Sequence, residues 1–286
     1  MIMNHLCLRT ILFIALLTTS VIAQDSPAAK SFTYKTTKQG ELTLKAYFPA
    51  AWHSEEKRPA IVFFFGGGWT NGTPAQFEPQ AKYLADRGMV AFCADYRVKA
   101  RHGVSPEVCV EDAKSAIRWV RQNAAKLGID PNKIVGSGGS AGGHIAACTA
   151  LCPGFDNQEE NQAISSKPNV LLLFNPVLNF NVADLQKRVG DDAVLAKAIS
   201  PTQHLAKASP PTLLFFGKED RLLTQGEEFM QRSKELGLRA EIFLADGVGH
   251  GFFNKSPWLA TTIKRADEFL VALGYLQAIP ATPRSP

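Results

Sequence analysis

Short apolar runs without polar interruptions recur between segments of helical period, and this alternation constrains the fold more than any other feature. Residues 240–244 read as a last strand, while 60–65, 90–94, 170–174 and 211–216, together with the Ile134-Val135 pair, lack the alternation of a strand with one wet face. Strands of that composition are buried on both sides. Between and after them, residues 75–87, 107–127, 141–151, 227–236 and 258–273 read as helices; in the second, Ala113, Ala116, Ile117 and Val120 recur at helical spacing. Two earlier segments, 32–36 and 42–47, alternate in the strand period and predict an antiparallel edge. The resulting β-α-β-α order predicts an α/β fold, a mostly parallel twisted sheet with helices on both faces. Residues 176–209 show no clear period and read as an excursion forming a small cap. With 45% apolar residues, no linker-like stretch and no internal repeat, residues 24–286 read as one domain.

The first 23 residues stand apart. Arg9 precedes an uncharged run that continues to Val21-Ile22-Ala23, followed by polar Gln24-Asp25-Ser26. A basic start, a short apolar stretch and small residues before the boundary predict a signal peptide cleaved near Ala23 and export to the periplasm or extracellular space. The uncharged run is short for a full membrane span, so stable membrane insertion after leader removal is not expected. The net charge of +5 is spread among both signs rather than gathered into a stripe, which argues against nucleic acid as a partner. After cleavage Cys93, Cys109, Cys148 and Cys152 remain; disulfides and buried free thiols are both compatible with them. No Cys-x-x-Cys or closely spaced His pair suggests zinc. Oligomeric state is not readable.

Gly138-Gly139-Ser140-Ala141-Gly142 lies between the Ile134-Val135 strand and an Ala-rich helical stretch. A serine on so sharp a strand-to-helix turn is held strained, with its hydroxyl presented outward and helix N–H groups aimed where negative charge develops during acyl transfer. His250, in Gly249-His250-Gly251 after the last strand, is the candidate base. His144 is the rival, but four residues along the helix it should point back along the helix surface. Asp220, at the carboxyl end of the 211–216 strand, is the preferred carboxylate to orient the imidazole; Glu219 and Asp246 are alternatives. Gly66-Gly67-Gly68 follows the first buried strand and offers exposed N–H groups for an oxyanion. A phosphate loop would need a following Gly-Lys-Ser/Thr, which is missing. Ligand sites in such sheets lie beyond the carboxyl ends of the strands, where all these motifs fall.

Together with Asp95-Tyr96-Arg97 and the helix from Glu111-Asp112-Ala113 to Trp119, these motifs resemble the α/β-hydrolase superfamily, and more closely its hormone-sensitive-lipase-like, acetyl-esterase-like branch. The likeness runs from about Phe32 to Leu276. It implies Ser140 as nucleophile, His250 as general base and acid, Asp220 as its partner, and Gly67, Gly68 and Ala141 as oxyanion donors. It implies no metal or cofactor. Phe65 stands where the family has histidine, so the glycine loop would be held by packing; the usual long N-terminal cap and the Leu-Ala-Pro-Glu after Asp-Tyr-Arg are absent. The expected activity is hydrolysis of short-chain carboxylic esters, on small molecules or on acetylated polysaccharide. A prolyl-oligopeptidase-like peptidase shares the triad order but carries an accessory domain, for which this chain has little room. A non-catalytic binding protein on the same fold would be expected to lack a triad member.

Overall fold

The computed structural model describes residues 29–180 and 182–279; the leader expectation lies outside them. Eight strands form one sheet: β1 (Ala29–Thr37), β2 (Gly40–Tyr47), β3 (Arg58–Phe64), β4 (Val90–Ala94), β5 (Ile129–Gly139), β6 (Val170–Phe174), β7 (Thr212–Gly217) and β8 (Ala240–Ala245). Their spatial order is β1-β2-β4-β3-β5-β6-β7-β8. β1 and β2 pair antiparallel, β2 meets β4 antiparallel, and every pairing from β4 to β8 is parallel. The helices are α1 (Glu78–Asp86), α2 (Lys99–His102), α3 (Pro106–Gln122), α4 (Ala141–Leu151), α5 (Ala183–Gln186), α6 (Ala193–Ala198), α7 (Leu223–Glu235) and α8 (Trp258–Ala272).

The uninterrupted apolar runs have the cause expected of them. In β3, Val62 and Phe64 enter one core and Ile61 and Phe63 the other. The first core is closed by α3, α4 and α7, through residues such as Val110, Ile117, Ile145 and Phe229. The second is closed by α1 and α8, through Leu84, Ala85, Phe269 and Leu270. All eleven residues of α4 are buried, because the sheet lies on one side and α3 on the other. A helix covered all round needs no polar stripe, and its sequence has none.

Several expectations shift at their edges: β1 begins at Ala29, and α1 begins at Glu78 after a 3₁₀ turn at Pro74–Phe77. α3 ends at Gln122, and residues 123–127 continue as hydrogen-bonded turns that lead to Gly128 in the left-handed region. α7 starts at Leu223, four residues before the expected start. The aperiodic 176–209 stretch contains α5, a 3₁₀ turn at Lys187–Val189, α6 capped by the Asp192 carboxylate, and a second 3₁₀ turn. Pieces of three to six residues are too short to write a 3.6-residue period. Cys93, Cys109, Cys148 and Cys152 are free and buried.

Arg97 and Asp112 bind the sheet to α3, and Asp95 binds it to α2. Asp112 is fully buried and accepts from Arg97 at Nε (2.8 Å) and Nη2 (2.7 Å) and from Lys35 Nζ (2.8 Å). Arg101 pairs with Asp95 at 2.8 Å. Opposite charges and charge-assisted hydrogen bonds offset the desolvation that a buried carboxylate entails.

Candidate active site

Ser140 occupies the turn between β5 and α4 with φ 52° and ψ −117°. That is a costly region for a residue with a Cβ, about 1–3 kcal/mol, and it persists because its surroundings over-determine it. Ser140 N–H donates to Phe174 O (2.9 Å), and Ser140 O accepts from His144 N–H (2.9 Å). The turn also needs a bare backbone on α4. A Cβ at Gly142 would lie 2.0 Å from Phe64 O, so only glycine lets α4 start this close to β3.

His250 follows β8 and bridges the other two residues. Its Nδ1 lies 2.7 Å from Asp220 Oδ2, and its Nε2 lies 2.8 Å from Ser140 Oγ. With the Nδ1 proton donated to the carboxylate, Nε2 is left as the acceptor for the serine hydroxyl. The Asp220 side chain is wholly buried and that of His250 is 41% exposed, so one end of the relay is dry and the other meets solvent. Asp220 Oδ1 accepts the Leu222 N–H at 2.9 Å, which fixes the carboxylate's orientation. The Asp220 and His250 loops are also joined through backbone, by Lys218 N–H to Ala245 O and Glu219 N–H to Val248 O. The alternatives fall elsewhere: Asp246 pairs with Lys218 on the surface, and Glu219 is exposed.

The glycine loop after β3 packs directly on the serine; a Cβ at Gly66 would lie 3.4 Å from Ser140 Cβ. Gly67 O accepts from both Thr70 N–H and Asn71 N–H at 3.1 Å. Among the described residues the Gly67 and Gly68 N–H groups meet no acceptor, and Ala141, first in α4, has no intrahelical one. Phe65, in place of a hydrogen-bonding histidine, stacks on Tyr96 at a centroid distance of 4.1 Å, while the Tyr96 hydroxyl donates to Phe65 O at 2.7 Å. Packing and a backbone acceptor thus hold the loop.

His144 is fully buried; Nδ1 accepts from Trp69 Nε1 (3.2 Å), so Nε2 carries the proton and donates to Ile199 O (2.7 Å). Burial pushes its pKa down to about 4, keeping it neutral. It joins α4, the glycine loop and the 176–209 stretch rather than meeting Oγ. Burial likewise pushes the thiols of Cys93 (to about 12), Cys109 and Cys148 up. Among the described residues no cluster of His, Cys, Asp and Glu is arranged to hold a metal, and no helix is long and apolar enough to cross a membrane.

Four polar residues emerge only in three dimensions. Asn175, at φ 37° after β6, accepts Gly251 N–H at Oδ1 (3.0 Å) and brings Nδ2 to 3.4 Å from His250 Nε2. Gln76 accepts Gly66 N–H at 2.6 Å and donates to Asn254 Oδ1 at 3.2 Å. Asn254 in turn donates to Gly251 O at 3.0 Å, completing a strap from the glycine loop to the histidine loop. Arg188, from the 3₁₀ turn after α5, donates to Gly68 O at 2.9 Å. None carries a sequence motif, since each acts through loops distant in the chain.

A sheet of this order with a serine turn after β5 defines an α/β-hydrolase, and solved structures of that fold superpose on it. The chain belongs to the BD-FAE family, whose model matches residues 44–232, and so stands among the α/β-hydrolase esterases and lipases. Esterase 2 of Thermogutta terrifontis, phosphonylated by sarin, shares 45% identity and a TM-score of 0.85, covering 89% of this chain and 98% of that one. Its propionate-bound form gives 46% identity and a TM-score of 0.84 over the same shares. Esterase LipQ of Mycobacterium tuberculosis is 29% identical over 73% of this chain and 52% of its own length. The chain spans about half the length of the curated relatives it matches, LipQ among them.

Proposed function

We propose that the protein is a serine esterase acting on short-chain carboxylic esters. The observation that carries this reading is the unbroken relay Asp220–His250–Ser140, with both contacts at hydrogen-bond distance. His250 Nε2 takes the Ser140 proton as Oγ bonds to the ester carbonyl carbon. The carbonyl oxygen becomes an oxyanion facing the Gly67, Gly68 and Ala141 N–H groups, and Asp220 stabilises the imidazolium. Collapse breaks the bond to the alcohol, which leaves with the His250 proton. Water then attacks the acyl-enzyme with His250 as base, and the acid departs.

A preference for short acyl groups is supported by the half-open histidine and by the propionate and butyrate forms of the Thermogutta esterase. Acetyl groups on small alcohols or on polysaccharide are the substrates we favour. p-Nitrophenyl acetate and butyrate should be turned over faster than decanoate, with Ser140→Ala inactive on all three. Faster decanoate turnover would overturn the acyl preference, and undiminished Ser140→Ala would overturn the nucleophile. Export belongs to the same proposal: a mature protein beginning near Gln24 in the periplasm or medium supports it, and an intact Met1 in the cytoplasm contradicts it.

A further inference from the structure

A cavity of about 340 Å³ opens beside the glycine loop, lined among others by Gly68, Trp69, Lys99, Val104, Ser105 and Arg188. None of its lining residues is acidic. Arg188 is docked by one corner of its guanidinium only. Nη1 donates to Gly68 O (2.9 Å) and lies 3.4 Å from Thr70 Oγ1, while the group sits over the Trp69 ring at 5.7 Å. Among the described residues its Nε and Nη2 have no acceptor, and neither Arg188 nor Lys99 has a carboxylate partner. Glu107 does not line the cavity; its Oε1 accepts from the Ser105 hydroxyl and its Oε2 is buried without a hydrogen-bond partner.

This placement bears on the reaction because Gly68 belongs to both places. Its N–H is a candidate oxyanion donor, and a Cβ there would meet Arg188 Nη1 at 3.5 Å. A guanidinium held at one corner and lying over an indole keeps a planar edge free for bidentate contact with a carboxylate. Lys99 adds a second positive charge, and Trp69 and Val104 supply apolar wall for the carbon chain between. Resting on the esterase reading, we infer that this cavity is a subsite for a carboxylate carried by the ester substrate. The carboxylate sits on either the acyl or the alcohol portion, and the chemistry that recognises it is the same.

Two matched pairs separate those sources: monoethyl against diethyl succinate for the acyl side, and 4-acetoxybenzoate against 4-acetoxybenzamide for the alcohol side. In one pair the charged ester should show the higher kcat/KM, chiefly through KM, and molar salt should erase the gap. Arg188→Gln and Lys99→Glu should each lower the charged-to-neutral ratio by about fivefold. Calorimetric titration of Ser140→Ala with the same four esters reads the affinity gap without turnover. Equal behaviour of both pairs, a gap untouched by the two substitutions, or no binding of either charged ester would overturn the subsite. Failure of wild type on all neutral esters would instead count against the esterase reading.

Discussion

Ser140 pays for its position in backbone strain, and the surrounding contacts decide which substitutions matter. Asp220→Asn keeps the shape but removes the charge that favours the Nδ1-protonated imidazole; kcat should fall about 10³- to 10⁴-fold with KM little changed, read by steady-state kinetics. Gln76→Ala breaks the strap from Gly66 to Asn254 without touching Ser140, His250 or Asp220. The expected loss is about tenfold in kcat, since small misplacements of oxyanion donors are expensive, with a melting temperature within a few degrees of wild type. An unchanged kcat would remove Gln76 from the positioning residues. Ser140, His250 and Asp220 are legible in sequence because each follows a strand end in a recognisable setting. Gln76, Asn175, Asn254 and Arg188 are not, because an amide or guanidinium in a loop says nothing about which distant backbone group it will meet.

At the scale of elements, α4 couples the sheet to the site. Gly142→Ala puts a methyl group into the backbone carbonyl oxygen of Phe64, so the variant should be recovered unfolded or insoluble. His144 gives the same helix a pH dependence. Its folded pKa, about 4, lies below the unfolded value of 6.5, so the unfolded chain binds more protons between them. Stability is therefore full above pH 6.5 and falls by about 3 kcal/mol as pH drops to 4. Denaturant titrations across that range should show the loss, and His144→Gln should flatten it; an equal slope in the variant would contradict the assignment. The same elements show where sequence reading stops. The helix expected over 227–236 leaves out Gly226, yet Gly226 lies inside α7, where a Cβ would strike the Phe216 ring at 2.5 Å. Burial on both faces made the core strands plain, whereas the short helices of 176–209 are set by contacts such as that of Ile199 O with His144.

For the molecule as a whole, sheet order gathers residues 66–68, 140, 175, 220 and 250 at the carboxyl ends of neighbouring parallel strands, as the α/β pattern requires. The same packing keeps Cys93, Cys109, Cys148 and Cys152 inside; a colorimetric thiol reagent should count them only after denaturation. Peptide mass mapping after exposure to an organophosphate such as paraoxon tests whether Ser140 is the nucleophile of an ester hydrolase. One covalent adduct is expected, on Ser140, formed in step with the loss of p-nitrophenyl acetate hydrolysis and absent from Ser140→Ala. An adduct on another residue accompanying inactivation, or full hydrolysis by protein fully modified at Ser140, would contradict that role.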